Sequence, residues 1–380
     1  MYKLIIVFLL SYQLIAQTSV FVSGTEGHKS YRIPAIVKTP NGDLLAFAEG
    51  RVKGSGDFGD INIVLKRSTD NGKTWGEMTT IVNYDSLQAG NPAPVFDATD
   101  PSFPKGRLFL FYNTGNNHEN EVRKGKGLRE VWYKTSTDGG KTWSEGVNIT
   151  SQAHRPNQAN TLYQFKEDWR SYANTPGHAM QFQSGKYKGR IFVAANHSAG
   201  EPQKQFTDYA AHGFFTDDHG KTFRLSQTIE LAGSNEATAT EISENGLMMN
   251  MRNQKGDIRQ RIVAVSKDGG ETWDKTYFDP NLPDPVCEGS ILSVGVKNGK
   301  HILAFCNAAD TQKRDNLTLR ISFDEGKTWP RAQVIEKSSD AKVNDYAAYS
   351  DIVKMNKNQI GVLYEKNNYS QIVFKALKWQ

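Results

Sequence analysis

One eight-residue pattern recurs five times in this chain and constrains its fold more than any other feature. The pattern reads Ser-x-Asp-x-Gly-x-Thr-Trp, and its copies begin at Ser68, Ser136, Thr216, Ser266 and Ser322. The third copy ends in Phe223 in place of tryptophan. An Asp side chain accepts hydrogen bonds from nearby backbone N–H groups, and Gly adopts conformations that other residues avoid. Because strand-like apolar runs precede the copies, the octet predicts a hairpin turn between two strands of one sheet.

The spacing of the octets predicts the architecture. Successive copies lie roughly 64 residues apart on average, so the chain holds between five and six such units. Repeats that cannot bury their faces alone close into a ring, and four short strands per unit suit a propeller blade. We therefore predict an all-β fold, a six-bladed β-propeller with four-stranded antiparallel blades, in which one blade lacks the octet.

The first residues of the chain have the composition of an export signal. Lys3 precedes an apolar run over residues 4–10, and the small residue Ala16 follows. This pattern predicts a signal peptide over residues 1–17, followed by a single domain over residues 18–380; a buried first strand is the alternative. Since no cysteine follows the apolar run, a secreted or periplasmic protein is expected and not a lipid-anchored one.

The composition excludes several classes of partner. Lysine and arginine number 46 against 41 acidic residues, and no basic block dominates, so nucleic acid is not an expected partner. No other segment is long enough to cross a bilayer. Cys287 and Cys306 allow either one bridge or two thiols. The histidines lack the spacing of metal ligands, so neither a metal nor a cofactor is expected.

Several short motifs lie outside the repeat and carry chemistry. They are Tyr31-Arg32-Ile33-Pro34, Ala48-Glu49-Gly50-Arg51, the acidic loop 54–60, Asn91-Pro92-Ala93-Pro94, Asn235-Glu236, Arg252, Arg314, and Ala348-Tyr349-Ser350-Asp351. With the octets, these motifs resemble in order those of the bacterial exo-α-sialidases (neuraminidases), a family of secreted six-bladed propellers in which the octets are called Asp-boxes or BNR repeats. The resemblance covers roughly residues 18–380 and implies the same fold and activity.

The resemblance implies a substrate-binding role for five residues. Arg32, Arg252 and Arg314 match the arginine triad that grips the carboxylate of sialic acid, and Arg51 and Asn91 match positions near the 4-hydroxyl of the sugar. The chemistry agrees with this mapping, because a guanidinium fork binds a carboxylate bidentately and stays charged at any working pH. Three arginines at one pocket would repel each other, so they imply an anionic ligand.

The resemblance also implies the catalytic groups. Asp57 matches the general acid/base, Tyr349 the nucleophile, and Glu236 the carboxylate that activates it, while Glu49 matches a brace for an arginine of the triad. A phenol that loses its proton only as it attacks avoids much of the repulsion between a charged nucleophile and an anionic centre. Held off water under the substrate, Asp57 should have a raised pKa, and the rate optimum should be acidic.

The resemblance therefore implies hydrolysis of terminal α-linked sialic acid with retention, acting on sialylated glycans, glycoproteins or glycolipids, by a protein with no membrane span that is expected to be a monomer. Two other readings stay open at this point. A trans-sialidase or an anhydro-forming sialidase would use the same residues, and a non-catalytic sialic-acid-binding propeller would share the octets.

Overall fold

A computed structural model of the chain describes residues 17–158, 163–340 and 342–380. The predicted signal peptide, except for Gln17, lies outside these residues. Gln17 is the first residue of strand β1 (Gln17–Val22). Over the ranges that are described, none of the helices has both the length and the apolar character needed to cross a membrane.

The strands form six antiparallel blades, which confirms the predicted six-bladed propeller. Blade 1 consists of β2 (Ser30–Lys38), β3 (Leu44–Arg51), β4 (Ile61–Ser68) and β5 (Thr79–Val82). Blade 2 consists of β6 (Gln88–Asp97), β7 (Arg107–Gly115), β8 (Arg129–Ser136) and β9 (Val147–Asn148). Blade 3 consists of β10 (Trp169–Asn174), β12 (Ile191–Ala199), β13 (Tyr209–Thr216) and β14 (Arg224–Leu225), with the short β11 (Met180–Gln181) beside β12.

The second half of the ring repeats this plan. Blade 4 consists of β15 (Ser234–Ile242), β16 (Gly246–Asn253), β17 (Gln260–Ser266) and β18 (Lys275–Pro283). Blade 5 consists of β19 (Gly289–Lys297), β20 (Lys300–Ala308), β21 (Leu317–Ser322) and β22 (Arg331–Glu336). Blade 6 consists of β23 (Ala347–Lys354), β24 (Gln359–Lys366), β25 (Gln371–Lys378) and β1. The helical segments are α1 (Glu119–Val122), α2 (Thr150–Ala153) and a 3-10 turn (Lys204–Phe206).

The hydrophobic core lies between neighbouring blades and shows where one blade ends and the next begins. Blades 1 and 2 are hydrogen-bonded into one sheet, but only through a single parallel pair, Ile61 with Gln88. Six apolar clusters each join the facing surfaces of two neighbouring blades, from blades 1 and 2 round to blades 6 and 1. Since every blade therefore has two apolar faces to bury, the sheets close into a ring.

The blade without an octet is blade 6, and its topology explains why. Its outermost strand is β1, which pairs antiparallel with β25. In the other five blades the third and fourth strands are consecutive, and the octet forms the turn between them. Because the fourth strand of blade 6 comes from the opposite end of the described chain, this blade has no such turn for an octet to occupy.

Each octet is both a turn and a contact with the preceding blade. In the second copy the Ser136 hydroxyl accepts a hydrogen bond from the N–H of Gly140 and donates one to Asp138, whose carboxylate also accepts from the N–H of Thr142. Gly140 has a φ of 85°, and a Cβ there would lie 3.1 Å from Leu45 of blade 1. The backbone conformation therefore favours glycine, and a Cβ would also require the end of the Leu45 side chain to move by a few tenths of an ångström.

The final aromatic residue of the octet completes this contact. Trp143 packs edge-on against Phe47 of blade 1, with ring centroids 6.1 Å apart. Phe223, the departure in the third copy, is buried and packs edge-on against Phe111 of blade 2 at 5.8 Å. The smaller ring therefore fills the same place between two blades.

The antiparallel order separates two faces of the ring. Turns between third and fourth strands, which carry the octets, lie at one end of the blades. Loops between second and third strands lie at the other end, and they include Val52–Asp60 of blade 1 and the segments before β8, β13, β17, β21 and β25. The predicted site residues gather at this second end.

Candidate active site

A single cleft on this face contains all the residues that the sequence assigns to the site. Its volume is about 380 Å³. The eight predicted residues that line it are Arg32, Arg51, Asp57, Asn91, Glu236, Arg252, Arg314 and Tyr349. These residues come from blades 1, 2, 4, 5 and 6. Arg32 and Tyr349, which are more than 300 positions apart in the chain, therefore meet near the ring axis.

A triangle of hydrogen bonds joins Tyr349, Glu236 and Arg252. The Tyr349 hydroxyl donates to Glu236 Oε1 at 2.6 Å. Arg252 Nη1 donates to Glu236 Oε2 at 2.6 Å and to the Tyr349 oxygen at 2.8 Å. Tyr349 belongs to the first strand of blade 6, Glu236 to the first strand of blade 4, and Arg252 to the second strand of blade 4. The phenol is thus placed between a proton acceptor and a cation.

The two other predicted triad arginines flank the ring of Tyr349. The guanidinium carbons of Arg32 and Arg314 each lie 5.5 Å from its centroid. Arg314 Nη1 donates to the Tyr369 hydroxyl at 3.1 Å, and Arg32 stacks on the Tyr369 ring at 3.8 Å. The structure therefore brings Arg32, Arg252 and Arg314 together around one phenol.

Glu365 holds Arg32 in place, whereas Glu49 is the residue predicted to brace an arginine of the triad. Glu365 is completely buried; its Oε1 accepts from Arg32 Nε at 2.6 Å and from the N–H of Ile33 at 2.9 Å, and its Oε2 accepts from the N–H of Tyr349 at 3.2 Å. One carboxylate thereby fixes an arginine of the triad and the backbone of the predicted nucleophile.

The expectation that Glu49 braces an arginine of the triad is wrong. Glu49 Oε2 accepts from Arg51 at 2.7 Å, and Glu49 Oε1 accepts from the N–H of Asn91 at 2.9 Å. Glu49 and Arg51 point to the same side of one strand two residues apart, which puts them in direct contact. Glu365, by contrast, is the next-to-last residue of an apolar strand in blade 6, and a lone acid in such a strand is the only signal that could have pointed to it.

Asp57 lies on the loop that follows Arg51 and reaches the cleft edge. Its side chain is 71% exposed, and its Oδ1 accepts from Arg51 Nη1 at 2.7 Å. Arg51 Nη1 also donates to the carbonyl of Ser55 at 2.6 Å, which ties the loop to the strand. Asp57 is thus the most accessible of the predicted catalytic groups.

The pKa values of Tyr349 and Asp57 shift in opposite directions. Burial, followed by the negative charge of Glu236, raises the pKa of Tyr349 well above its usual value, although Arg252 and Arg314 oppose this. Burial also pushes the pKa of Asp57 upward, but the charges of Arg51 and Arg32 outweigh it, and the pKa is lowered. The phenol therefore keeps its proton, while Asp57 is ionised through its contact with Arg51.

Two groups outside the cleft fit structural roles. Cys287 and Cys306 are buried free thiols. Of the two arrangements that the sequence allows, the structure therefore has two thiols. Within the described ranges, Asp97, Asp100 and His219 place possible metal-ligating atoms within 4.8 Å of one another. However, His219 Nδ1 lies 2.8 Å from Asp97, and Arg107 pairs with Asp100 at 3.0 Å, so these side chains satisfy one another.

The chain is similar to known sialidases over most of its length. The BNR repeat-like domain family matches residues 42–362. The sialidase of Micromonospora viridifaciens is 32% identical, covering 96% of this chain and 54% of its own length, so the chain spans about half of that relative. The exo-alpha-sialidase of Arthroderma benhamiae is 30% identical, covering 90% of this chain and 79% of its own. The solved structure of the Hadza microbial sialidase Hz136 is 26% identical, with a TM-score of 0.79, covering 96% of this chain and 68% of that one.

Proposed function

The chain belongs to the sialidase family of BNR-repeat proteins, and we propose that it is an exo-α-sialidase that hydrolyses terminal α-linked sialic acid with retention of configuration. The observation that carries this proposal is the triangle of Tyr349, Glu236 and Arg252. A phenol that donates to a carboxylate at 2.6 Å has its base in place, and an anionic sugar supplies the reason for a neutral nucleophile.

Recognition of the substrate begins at its carboxylate. The guanidinium groups of Arg32, Arg252 and Arg314 surround the Tyr349 ring, and charge-assisted hydrogen bonds from them would orient the anomeric carbon above the phenol oxygen. These guanidinium groups stay protonated at any working pH, and the carboxylates near them offset their positive charges. For Arg32, burial works against the charge, but Glu365 outweighs it and raises the pKa.

In the first step the glycosidic bond to the anomeric carbon breaks and a bond from the Tyr349 oxygen forms. The phenolic proton passes to Glu236, and Asp57 gives its proton to the departing oxygen. Arg252, within 2.8 Å of the phenol oxygen, offsets negative charge that develops there. The product of this step is a tyrosyl–enzyme intermediate and a free aglycone.

In the second step water replaces the tyrosine. Asp57 accepts a proton from the water as its oxygen attacks the anomeric carbon, and Glu236 returns a proton to the phenolate as it leaves. Asp57 must therefore carry a proton when the substrate arrives. A sugar that covers its exposed carboxylate would remove water from it and raise the pKa, against the pull of Arg51.

The proposal is tested by comparing Tyr349→Phe with the wild type on an aryl sialoside. The kcat of the variant should be lower than that of the wild type by roughly 10³-fold or more. In a separate NMR measurement on the wild type, the first sugar product should be the α anomer. Tyr346→Phe is the matched control, because Tyr346 lies near Lys366 and is not among the residues that line the cleft. Full activity of Tyr349→Phe, or an inverted first product, would rule out the tyrosyl intermediate.

We further propose terminal sialic acids of glycoproteins or glycolipids as substrates, and a monomer that acts outside the cytoplasm. The supports are a cleft that opens at one face of the ring and the export-like composition of residues 1–17. Fractionation of cells that express the full chain would test the location. Analysis of the sugar products distinguishes hydrolysis from transfer or from an anhydro product, the two alternatives that use the same residues.

A further inference from the structure

The end of the ring opposite the cleft concentrates positive charge around the axis. In each blade the turn between the first and second strands lies at the same end as the octets, and in blade 3 this turn follows the short β11. We call these turns, with one strand residue on either side of each, the inner turns; they comprise residues 38–44, 97–107, 181–191, 242–246, 297–300 and 354–359. They hold ten basic and four acidic residues, whereas the whole chain carries a net charge of only +5. The inner turns therefore account for all of the chain's excess positive charge.

Seven lysines of the inner turns have no acidic partner. All seven are exposed, and across the described ranges none of them lies within 4.0 Å of a carboxylate. They are Lys105, Lys186, Lys188, Lys297, Lys300, Lys354 and Lys357. Only ions of the solvent therefore offset their charges at close range.

The acids of the inner turns do not cancel this charge. Asp43 and Asp100 form ion pairs with arginines at 2.8 and 3.0 Å, and Asp97 is completely buried. Glu244 is the one exposed acid of these turns. The octets, which lie between the outer strands and farther from the axis, hold five basic against eight acidic residues. The excess of positive charge is thus confined to the centre of this end.

An apolar cavity opens among the inner turns. Its volume is about 490 Å³, and residues from all six blades line it, including Ile36, Val95 and Ile352. Lys354 and Val296 also line it, and Val296 is 61% exposed, the highest fraction among the exposed large apolar side chains of the described ranges. Basic and apolar groups therefore share one surface, which is the combination that binds lipid headgroups and the boundary of the acyl chains.

We propose that the inner turns form a docking surface for a membrane that contains anionic phospholipids. The lysines bind the phosphate groups, while their apolar stems and Val296 contact the acyl-chain boundary. A soluble polyanion would use the lysines but leave Val296 and the cavity in water, so the apolar groups favour a lipid surface. Docked in this way, the ring presents its cleft away from the membrane, because the cleft lies at the other end of the axis. The inference goes beyond the proposed sialidase function and does not depend on it.

The test measures co-sedimentation of the full chain with phospholipid vesicles. The wild type should bind vesicles of equal parts phosphatidylcholine and phosphatidylglycerol but not vesicles of phosphatidylcholine alone. Salt at about 1 M, which shortens the screening length to about 3 Å, should release it. Each lysine contributes about fivefold to partitioning on an anionic surface, so replacing four of them should weaken binding by roughly 100-fold or more. This variant combines Lys297→Gln, Lys300→Gln, Lys354→Gln and Lys357→Gln.

Four octet lysines provide the matched control, with the same change in net charge at the same end of the ring. They are likewise exposed, so their variant should bind anionic vesicles within about threefold of the wild type. It combines Lys73→Gln, Lys141→Gln, Lys221→Gln and Lys327→Gln. Both variants should keep the wild-type kcat/KM on a soluble aryl sialoside, since none of the replaced lysines lines the cleft.

Three results would overturn the inference. A wild type that does not bind anionic vesicles would remove it, and equal losses in the two variants would assign the binding to net charge and not to the inner turns. Binding to immobilised dextran sulfate without binding to anionic vesicles would assign the lysines to a soluble polyanion. Because vesicle binding and hydrolysis are measured separately, failure of this inference leaves the proposed function intact, and the reverse also holds.

Discussion

Replacing Glu365 by glutamine tests whether one buried carboxylate couples substrate binding to the nucleophile. Glu365 accepts from Arg32 and Ile33 on one oxygen and from the N–H of Tyr349 on the other. A glutamine has one accepting oxygen, so either the arginine or the backbone of Tyr349 meets an N–H₂ group instead. The variant also removes the negative charge that faces Arg32.

The expected loss follows from these contacts. Leaving a buried donor without its charged acceptor costs about 2–3 kcal/mol, which corresponds to a 30- to 150-fold loss of kcat/KM at about 1.4 kcal/mol per tenfold. Because Arg32 is proposed to hold the carboxylate in both ground and transition states, KM should rise as well as kcat fall. The assay is steady-state hydrolysis of an aryl sialoside, with melting temperatures measured in parallel.

Glu336→Gln provides the control for this prediction. Glu336 also accepts from a cation, Lys366, at 2.6 Å, and it lies in the outermost strand of blade 5, away from the residues that line the cleft. Its variant should keep the wild-type kcat/KM. A Glu365→Gln enzyme within threefold of the wild type, or an equal loss in Glu336→Gln, would refute the coupling between Glu365 and the site.

Three further predictions concern Asp57, the octets and the buried histidines. Asp57→Ala should lower kcat/KM about 100-fold or more on sialyllactose but far less on an aryl sialoside, whose good leaving group needs no proton; equal losses would contradict the acid role. Ser136→Ala should cost about 1–3 kcal/mol of unfolding free energy, since the buried N–H of Gly140 loses its acceptor, and leave kcat unchanged, as denaturation and rate assays would show. Burial lowers the pKa of three clustered histidines, His154, His197 and His212. Below about pH 6.5 the unfolded chain therefore binds protons that the folded protein does not, which destabilises the folded state. The denaturant concentration at the unfolding midpoint should decrease as the pH is lowered from about 7 to about 5, and it should decrease less in His154→Phe.

Interactions between residues close together in the chain could be predicted from the sequence, and those across the ring could not. The hydrogen bonds that the Ser, Asp, Gly and Thr positions of an octet make with one another join residues within four positions, as those of Ser136 with Asp138 and Gly140 do, so the turn and its repetition were predictable. Contacts across the ring leave no such pattern. Glu365 acts on Arg32, 333 residues away, and its only signal in the sequence is a lone acid in an apolar strand.

The pairing of acids with arginines shows the same limit at closer range. Glu49 and Glu365 both lie near the cleft end of the second strand in their blades, where an acidic side chain follows an apolar run. The sequence indicates that such an acid is available, but not which of the surrounding arginines the ring brings to it. In blade 1 it is Arg51 of the same strand, whereas in blade 6 it is Arg32 of the next blade.

The nucleophile owes its position to the strands around the ring axis more than to the loops of the cleft. In the first strand of blade 6, the N–H of Ser350 donates to Glu288 at 2.9 Å, as that of Tyr349 does to Glu365. The next side chain, Asp351, accepts from the N–H of Ile36 in blade 1 at 2.8 Å and lies 2.6 Å from His178 of blade 3. Burial raises the pKa of Glu288 well above its usual value. Because these acids tie one strand to blades 1, 3 and 5, a shift of any neighbouring blade would move Tyr349 relative to Glu236, and the closed ring is what prevents it.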